Sequence, residues 1–150
     1  MPPTVRGAGS RDLDVLLPLV EMFQAFERIP FEPAAARRNL ARLLGEPPLG
    51  QVLLAEGDGQ AIGYAILTYG YDLEFGGMDA YLTDFFLIES ERDRGVGTWM
   101  LGKVEEAARQ AGVQALHLMV APSNHRAHHL YYRAGFSASP RLFLTKLLAE

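Results

Sequence analysis

The residues with the clearest chemical signal are the two glycines of a short turn, Arg92-Asp93-Arg94-Gly95-Val96-Gly97-Thr98. The turn lies between an aromatic, strand-like run over residues 81–88 and an amphipathic, helix-like run that ends near Ala111. Glycine lets backbone N–H groups approach an anion closely, and a helix N-terminus adds unpaired donors and the positive end of its dipole. The turn therefore predicts a binding site for a phosphorylated ligand.

The spacing of the glycines does not match two familiar phosphate-binding loops. A Walker loop needs Gly-Lys-Ser/Thr, which is absent. In the dinucleotide-binding fingerprint, Met100 stands where the third glycine belongs. Because glycine also marks turns that bind nothing, the loop alone leaves a ligand site and a purely structural turn as open alternatives.

A second segment with a recognisable pattern follows in the C-terminal half. A strand-like stretch over residues 113–120 leads into Pro122 and Asn124, and Asn124 is predicted to be a helix N-cap. Gly135 is predicted to end this helix and Phe136 to begin another strand. Helical spacing between these points is shown by Ala127, Leu130, Tyr131 and Ala134.

Taken together, the two segments resemble the GCN5-related N-acetyltransferases. Arg92, Gly95 and Gly97 match that family's Arg/Gln-x-x-Gly-x-Gly/Ala loop, and residues 124–136 match its Asn-x-x-Ala-x-x-Leu-Tyr-x-x-x-Gly-Phe pattern at every fixed position. Within the family, one strand is most similar to the diamine acetyltransferase branch. It reads Tyr81-Leu82-Thr83-Asp84-Phe85-Phe86-Leu87, where that branch has Tyr-Leu-Glu-Asp-Phe-Phe-Val. The resemblance extends over residues 4–146 and is sharpest over 81–136.

The N-terminal half predicts two helices and three strands. Ser10 is predicted to cap a helix that runs to Phe26 with a kink at Pro18, and a second helix covers residues 33–44 with Pro33 in its first turn. Strands are predicted over 4–6, 51–56 and 60–71, the last two joined by a hairpin turn. The family resemblance implies that residues 1–150 are one α/β (mixed α+β) domain, in which about four helices flank a central mixed, mostly antiparallel sheet of six to seven strands.

Composition narrows the class of protein. The chain has 150 residues, 49% of them hydrophobic, and a net charge of −4, which gives no reason to expect nucleic acid as a partner. It contains no cysteine, so there is no disulfide, thiolate metal site or acyl-cysteine intermediate, and acyl transfer would be direct. Since no apolar stretch approaches roughly 18 residues, no membrane partner is predicted, and we expect a soluble, cytoplasmic protein.

The family resemblance implies that the phosphorylated ligand is acetyl-coenzyme A, acting as co-substrate in acetyl transfer to a primary amine. Arg92 or Arg94 would add positive charge, and backbone groups of the turn would bind the pyrophosphate: Asp93, Arg94, Gly95, Val96, Gly97 and Thr98. The pantetheine amides would pair with a strand edge at Phe86, Leu87 and Ile88. Asn124, Tyr131 and Arg133 complete the predicted cofactor contacts.

The same resemblance places the general acid at Tyr131, which would protonate the departing thiolate. The glutamate that serves the acceptor amine in the diamine branch is replaced here by Thr83. Asp84 is the nearest carboxylate and a candidate base or substrate anchor, although strand alternation would put Thr83 and Asp84 on opposite faces. Thr83 and Glu27 are further candidates for acceptor binding, as are, less directly, Asp79 and Glu74.

His125 and His129 stand four residues apart on the predicted helix, but Arg126 replaces the glutamate of the zinc-protease pattern, so we predict no metal. The expected function is N-acetylation of a small molecule: a polyamine, a diamine or an amino acid derivative. Acetylation of a protein N-terminus or lysine, a non-catalytic acetyl-coenzyme A sensor and a purely structural role remain alternatives. The resemblance also implies a homodimer.

Overall fold

A five-stranded sheet is the frame of the computed structural model, which describes residues 2–149. Neighbouring strands from the first to the fourth are antiparallel, whereas the fifth is parallel to the fourth. This confirms the predicted mixed, mostly antiparallel sheet. The strands lie in the sheet in their order along the chain: β1 (Thr4–Gly7), β2 (Gly50–Gly57), β3 (Gln60–Asp72), β4 (Gly77–Leu87) and β5 (Ala115–His117).

The predicted count of six to seven strands is wrong. β5 covers only three residues of the strand predicted over 113–120, and residues 134–149 contain neither helix nor strand, although the sequence predicts a strand from Phe136. Leu142 and Leu144 in this tail are each 86% exposed. An apolar segment becomes a strand only where a neighbouring strand pairs with its N–H and C=O groups, and the residue pattern does not reveal whether that neighbour is present.

Residues 2–149 form four α-helices, the number predicted. Pro33 lies in the first turn of the second helix, and the Glu32 carboxylate caps it by accepting a 2.7 Å hydrogen bond from the Ala35 N–H. The third helix connects β4 to β5 and so makes the parallel crossover possible. No helix within residues 2–149 is long and apolar enough to cross a bilayer. The helices are α1 (Leu13–Phe26), α2 (Pro33–Gly45), α3 (Val96–Gln110) and α4 (His125–Arg133).

The start of α1 differs from the prediction. Ser10 is the first residue of a separate 3-10 turn and does not cap α1, which begins at Leu13. Asp12 holds this turn, because its carboxylate accepts hydrogen bonds from the Gly9 N–H at 2.8 Å and from two nitrogens of Arg6 at 2.8 and 3.0 Å. The Arg6 guanidinium lowers the pKa of Asp12 to about 2. A local bond to Gly9 and an ion pair with Arg6 of β1 therefore both hold Asp12, the residue immediately before α1.

One face of the sheet packs against α1 and α2. The aromatic ring of Phe23 on α1 makes edge contacts with Tyr64 and Phe86 at centroid distances of 6.2 and 6.4 Å. The buried residues of this hydrophobic core cluster are Leu16, Leu19, Val20, Phe23, Leu40, Val52, Leu54, Tyr64, Ile66 and Phe86.

The chain divides into two compact units: Met1–Met119 holds the sheet and the first three helices, and Val120–Glu150 holds α4.

Candidate active site

The glycine turn enters α3 with a left-handed backbone at two positions. Asp93 has φ of 62°, and Gly95, the N-cap of α3, has φ of 78°, a conformation that glycine adopts at little cost. Gly97 and Thr98 belong to the first turn of α3, where helix geometry leaves N–H groups without carbonyl partners in the helix. The strand, turn and helix predicted from the sequence are therefore present, with donors in the expected place.

The two arginines of the turn have different surroundings. Arg92 donates from Nε to the Leu87 carbonyl at 2.8 Å, and its guanidinium carbon lies 5.4 Å from the ring centroids of both Phe26 and Phe86. The Arg94 side chain is 67% exposed, with only a 3.9 Å ion pair to Glu91. Arg92 thus attaches the turn to α1 and β4, whereas the charge of Arg94 is exposed to solvent.

An open strand edge precedes this turn. β5 pairs with β4 only from Asp79 to Tyr81, so within the described chain no strand pairs with residues 82–87 of β4 on that side. The side chains of Phe86 and Leu87 are buried, and Ile88 donates its N–H to the Ile62 carbonyl at 2.8 Å. Side chains at the predicted pantetheine positions therefore belong to the core, while the strand edge beside them can accept an amide-bearing ligand.

A β-bulge at Thr83 changes the direction of the side chains on β4. Ile66 of β3 pairs with Asp84 and Leu67 with Leu82, so Thr83 is the extra residue. The predicted placement of Thr83 and Asp84 on opposite faces assumed regular alternation, which the bulge interrupts between these two residues. Strict alternation fails at the bulge because one strand carries a residue that has no partner in the ladder.

The Asp84 carboxylate lies against the aromatic core. The buried hydroxyl of Tyr64 donates a hydrogen bond of 2.6 Å to Oδ2 of Asp84. Burial raises the pKa of Asp84 above its ordinary value, and the Tyr64 hydrogen bond and the neighbouring Thr83 side chain oppose that rise. A carboxylate with a raised pKa accepts a proton more readily than an exposed aspartate, and its charge can also bind an ammonium group.

Tyr64 belongs to this site but was not identified from the sequence. It lies in the apolar run Ile62-Gly63-Tyr64-Ala65-Ile66 of β3. A tyrosine hydroxyl buried in such a strand usually finds a hydrogen-bond partner, and that expectation is the signal that was available. The identity of the partner, Asp84, depends on the pairing of β3 with β4.

The other predicted acceptor-binding carboxylates have different surroundings from Asp84. Glu27 is the exposed C-cap residue of α1, and Glu74 is exposed in a 3-10 turn. Asp79 is buried, and its Oδ2 lies 3.1 Å from Nε2 of His117. The candidate site in the first unit therefore consists of Thr83, Asp84 and the turn before α3, together with the open edge of β4.

The remaining predicted residues lie in the second unit. Asn124 caps α4 by accepting a 3.2 Å hydrogen bond from the Ala127 N–H, as predicted. Tyr131 is partly buried with its ring 5.8 Å from that of Phe136, and Arg133 is exposed in the last turn. Among residues 2–149, His125 and His129 included, no group of three or more histidine, aspartate or glutamate side chains could hold a metal ion.

Comparisons with known proteins agree with this architecture. The family model described as the acetyltransferase (GNAT) family matches residues 16–136. An integron cassette protein from the mobile metagenome of Cole Harbour Salt Marsh has a crystal structure that superposes with a TM-score of 0.86 and is 33% identical in sequence. The match covers 97% of this chain and 91% of the other.

Two proteins of known activity are also similar in sequence. The thialysine N-epsilon-acetyltransferase of Bos taurus is 28% identical over 87% of this chain and 82% of its own length. The D-amino-acid N-acetyltransferase of Saccharomyces cerevisiae is 25% identical over 93% of this chain and 88% of its own. The chain therefore belongs to the acetyltransferase (GNAT) family and is an acetyl-coenzyme A-dependent N-acetyltransferase.

Proposed function

We propose that the acceptor is the primary amine of a small molecule: a polyamine, a diamine or an amino acid derivative. The observation that carries this proposal is the position of Asp84, a half-buried carboxylate at the bulge where the edge of β4 opens. A negative charge at this point attracts an alkylammonium group to the strand along which the acetyl donor would bind.

The names of two relatives support an acceptor of this class. One protein acts on the ε-amino group of thialysine and the other on D-amino acids. The similarity of residues 81–87 to the diamine branch supports an acceptor with a second cationic group. Thr83, which stands where that branch has glutamate, contributes a hydroxyl that can orient Asp84 but cannot carry a negative charge at neutral pH.

The proposed reaction is a direct transfer between two bound substrates. The amine loses a proton, its nitrogen attacks the thioester carbonyl carbon, and the C–S bond breaks as the thiolate leaves. An alkylamine with an ordinary pKa of about 10 is almost fully protonated at neutral pH, so a proton acceptor is required. Asp84 is proposed either to bind the ammonium group or to receive its proton.

Tyr131 is proposed as the general acid that protonates the leaving thiolate. Its support is the family pattern: Tyr131 stands at the tyrosine of Leu130-Tyr131-x-x-x-Gly135-Phe136, and it is partly buried whereas its neighbour Tyr132 is exposed. Asn124 and Arg133 are proposed to contact the cofactor on the same grounds. A homodimer and a cytoplasmic location also remain predictions.

A thiol-release assay tests the proposal. Acetyl-coenzyme A is offered with a panel of polyamines, D- and L-amino acids, aminoglycosides and lysine-containing or free N-terminal peptides. We expect release above background hydrolysis with at least one small amine. Release with peptides alone would favour protein acetylation, and binding of acetyl-coenzyme A without release would favour a sensor.

The Tyr131→Phe variant tests the assignment of the general acid. We expect turnover to fall by about 10²-fold or more, because one proton donor to the leaving group is removed. The affinity for acetyl-coenzyme A, measured by calorimetry, should be nearly unchanged. The matched variant Tyr132→Phe, on the exposed face of α4, should keep the wild-type rate. An unchanged rate in Tyr131→Phe would remove Tyr131 from the mechanism.

A further inference from the structure

A histidine and a buried aspartate form a pair where β4 and β5 part. Nε2 of His117 lies 3.1 Å from Oδ2 of Asp79, and the Asp79 side chain is only 6% exposed, whereas that of His117 is 24% exposed. The imidazole ring lies 4.8 Å from the Phe75 ring and 5.0 Å from the Tyr81 ring. A buried carboxylate and two aromatic rings therefore hold His117 in one orientation while part of it still reaches solvent.

The register of the sheet relates this pair to the candidate acceptor site. Tyr81 pairs with His117 in the last rung between β4 and β5, and the open edge of β4 begins at the next residue. Tyr81 and Asp84 pair with Thr68 and Ile66, which are two residues apart on β3 and so share a face. The bulge at Thr83 thus brings Asp84 to the face of Tyr81, about 7 Å along the strand.

The contact with Asp79 also selects the chemistry available to the ring. A carboxylate accepts hydrogen bonds but does not donate them, so the neutral ring satisfies this contact when Nε2 carries the hydrogen. Nδ1 then has a free lone pair, and within residues 2–149 the bond to Asp79 is the ring's only hydrogen bond. This arrangement of a carboxylate, an oriented imidazole and a free ring nitrogen is suited to a general base.

We propose that His117 takes the proton from the acceptor amine, with Asp79 as its positioning residue and Asp84 as the group that binds the ammonium. This inference rests on the proposed function and deepens it. The ammonium proton passes to Nδ1 of His117 and then to solvent. The nitrogen forms a bond to the carbonyl carbon and loses a second proton, the C–S bond breaks, and the thiolate is protonated. The products are the amide, the free thiol and one proton.

The His117→Gln variant tests this assignment, because a glutamine amide can donate to Asp79 but cannot accept a proton. With the best amine of the panel, we expect kcat to fall by about 10²-fold or more, with the KM for acetyl-coenzyme A and the unfolding midpoint little changed. With an aminooxy analogue of the same acceptor, whose nitrogen is uncharged at pH 7, the kcat of His117→Gln should fall by less than about 10-fold. His129→Gln, an exposed histidine of α4, serves as the control and should match the wild type.

Two further outcomes decide the proposal. Asp79→Asn should lower kcat by about 10-fold or more, and the double variant Asp79→Asn/His117→Gln should be no slower than His117→Gln, because both act through one ring. An equal loss for the charged and the uncharged acceptor, or wild-type activity in His117→Gln, would overturn the role of His117 and leave the proposed function standing. If the wild-type chain acetylates no amine, the proposed function fails and this inference fails with it.

Discussion

The hydroxyl of Tyr64 on β3 donates a hydrogen bond of 2.6 Å to Oδ2 of Asp84 on β4. The Tyr64 ring also lies 6.2 Å from Phe23 and 6.3 Å from Phe86, so the same residue belongs to the hydrophobic core. One hydrogen bond therefore connects the candidate acceptor carboxylate with the packing of α1 on the sheet. Substitutions at either end should change both the stability of the fold and the protonation of Asp84.

The Tyr64→Phe variant should lose stability. Removal of the hydroxyl leaves the half-buried Asp84 carboxylate with one hydrogen bond fewer, which costs about 1–3 kcal/mol in the free energy of unfolding. Urea denaturation at pH 7 measures this loss. Tyr132→Phe, in which the side chain is exposed on α4, is the control and should change little. Equal stability of Tyr64→Phe and the wild type would show that the hydrogen bond contributes nothing net.

Asp84 should make the stability depend on pH in a defined direction. Because burial raises its pKa above the ordinary value of 3.8, the folded chain retains this proton at pH values where the unfolded chain has lost it. The resulting stabilisation is complete below the unfolded pKa and is lost as the pH rises through the folded pKa. The unfolding free energy of the wild type minus that of Asp84→Asn should therefore decrease from about pH 4 upward. A difference that stays constant or grows would contradict the raised pKa.

Asp12 should show the opposite dependence. Its pKa of about 2 lies below the ordinary value of 3.8, so its contribution is complete above the unfolded pKa and is lost as the pH falls toward 2. We expect Asp12→Asn to lower the free energy of unfolding by about 1–2 kcal/mol at pH 7, a value reduced for the solvent exposure of Arg6. Asp14→Asn, which removes an exposed ion pair with Arg37, is the matched control and should change stability little.

Gly95, the N-cap of α3, and Gly102, inside this helix, should respond in opposite ways to alanine. At Gly95 the φ of 78° is left-handed, so Gly95→Ala should cost about 1–2 kcal/mol and weaken binding of acetyl-coenzyme A by distorting the turn. At Gly102, inside the helix, an added Cβ meets nothing within 4 Å, so Gly102→Ala should stabilise the chain by about 0.5–1 kcal/mol. Urea denaturation and calorimetry distinguish the two. Equal changes in stability and in acetyl-coenzyme A affinity for Gly95→Ala and Gly102→Ala would argue against a special role for the turn.

The two arginines of the turn should separate stability from affinity. Arg92→Lys keeps the charge but loses the planar contacts with Phe26 and Phe86, and should lower the free energy of unfolding by about 1 kcal/mol. Arg94→Gln should leave stability nearly unchanged and weaken acetyl-coenzyme A binding several-fold, by an amount that shrinks as salt is added. Calorimetry at two ionic strengths measures this effect. A loss of stability in Arg94→Gln without a loss of affinity would contradict the assignment.

Local interactions explain what could be predicted. The turn at Gly95, the cap at Asn124 and the hairpin between β2 and β3 each involve residues a few positions apart, and their backbone angles follow from residue type. Asp58 and Gly59 in that hairpin have φ of 51° and 77°, as a Gly-Asp-Gly turn predicts. The helices and the first four strands follow from hydrophobic periodicity in the same way.

Contacts between residues that are distant in the sequence explain which features could not be predicted. The bulge at Thr83, the bond between Tyr64 and Asp84 and the pair of Asp79 with His117 join residues 20 or more positions apart or depend on strand register. A one-residue difference in register turns every side chain beyond it to the other face, so no local pattern reveals which face Asp84 occupies. The absence of a strand over residues 134–149 has a similar cause, since pairing needs a neighbouring edge.

The sequence by itself determined the order of the elements up to α4, the turn that begins α3 and the family, because these depend on residue type and short spacing. Only the tertiary structure decided that Asp84 shares a face with Tyr81, that Tyr64 is its partner and that His117 is oriented by Asp79. Those facts follow from how β3, β4 and β5 align, and alignment is set by the packing of the whole sheet.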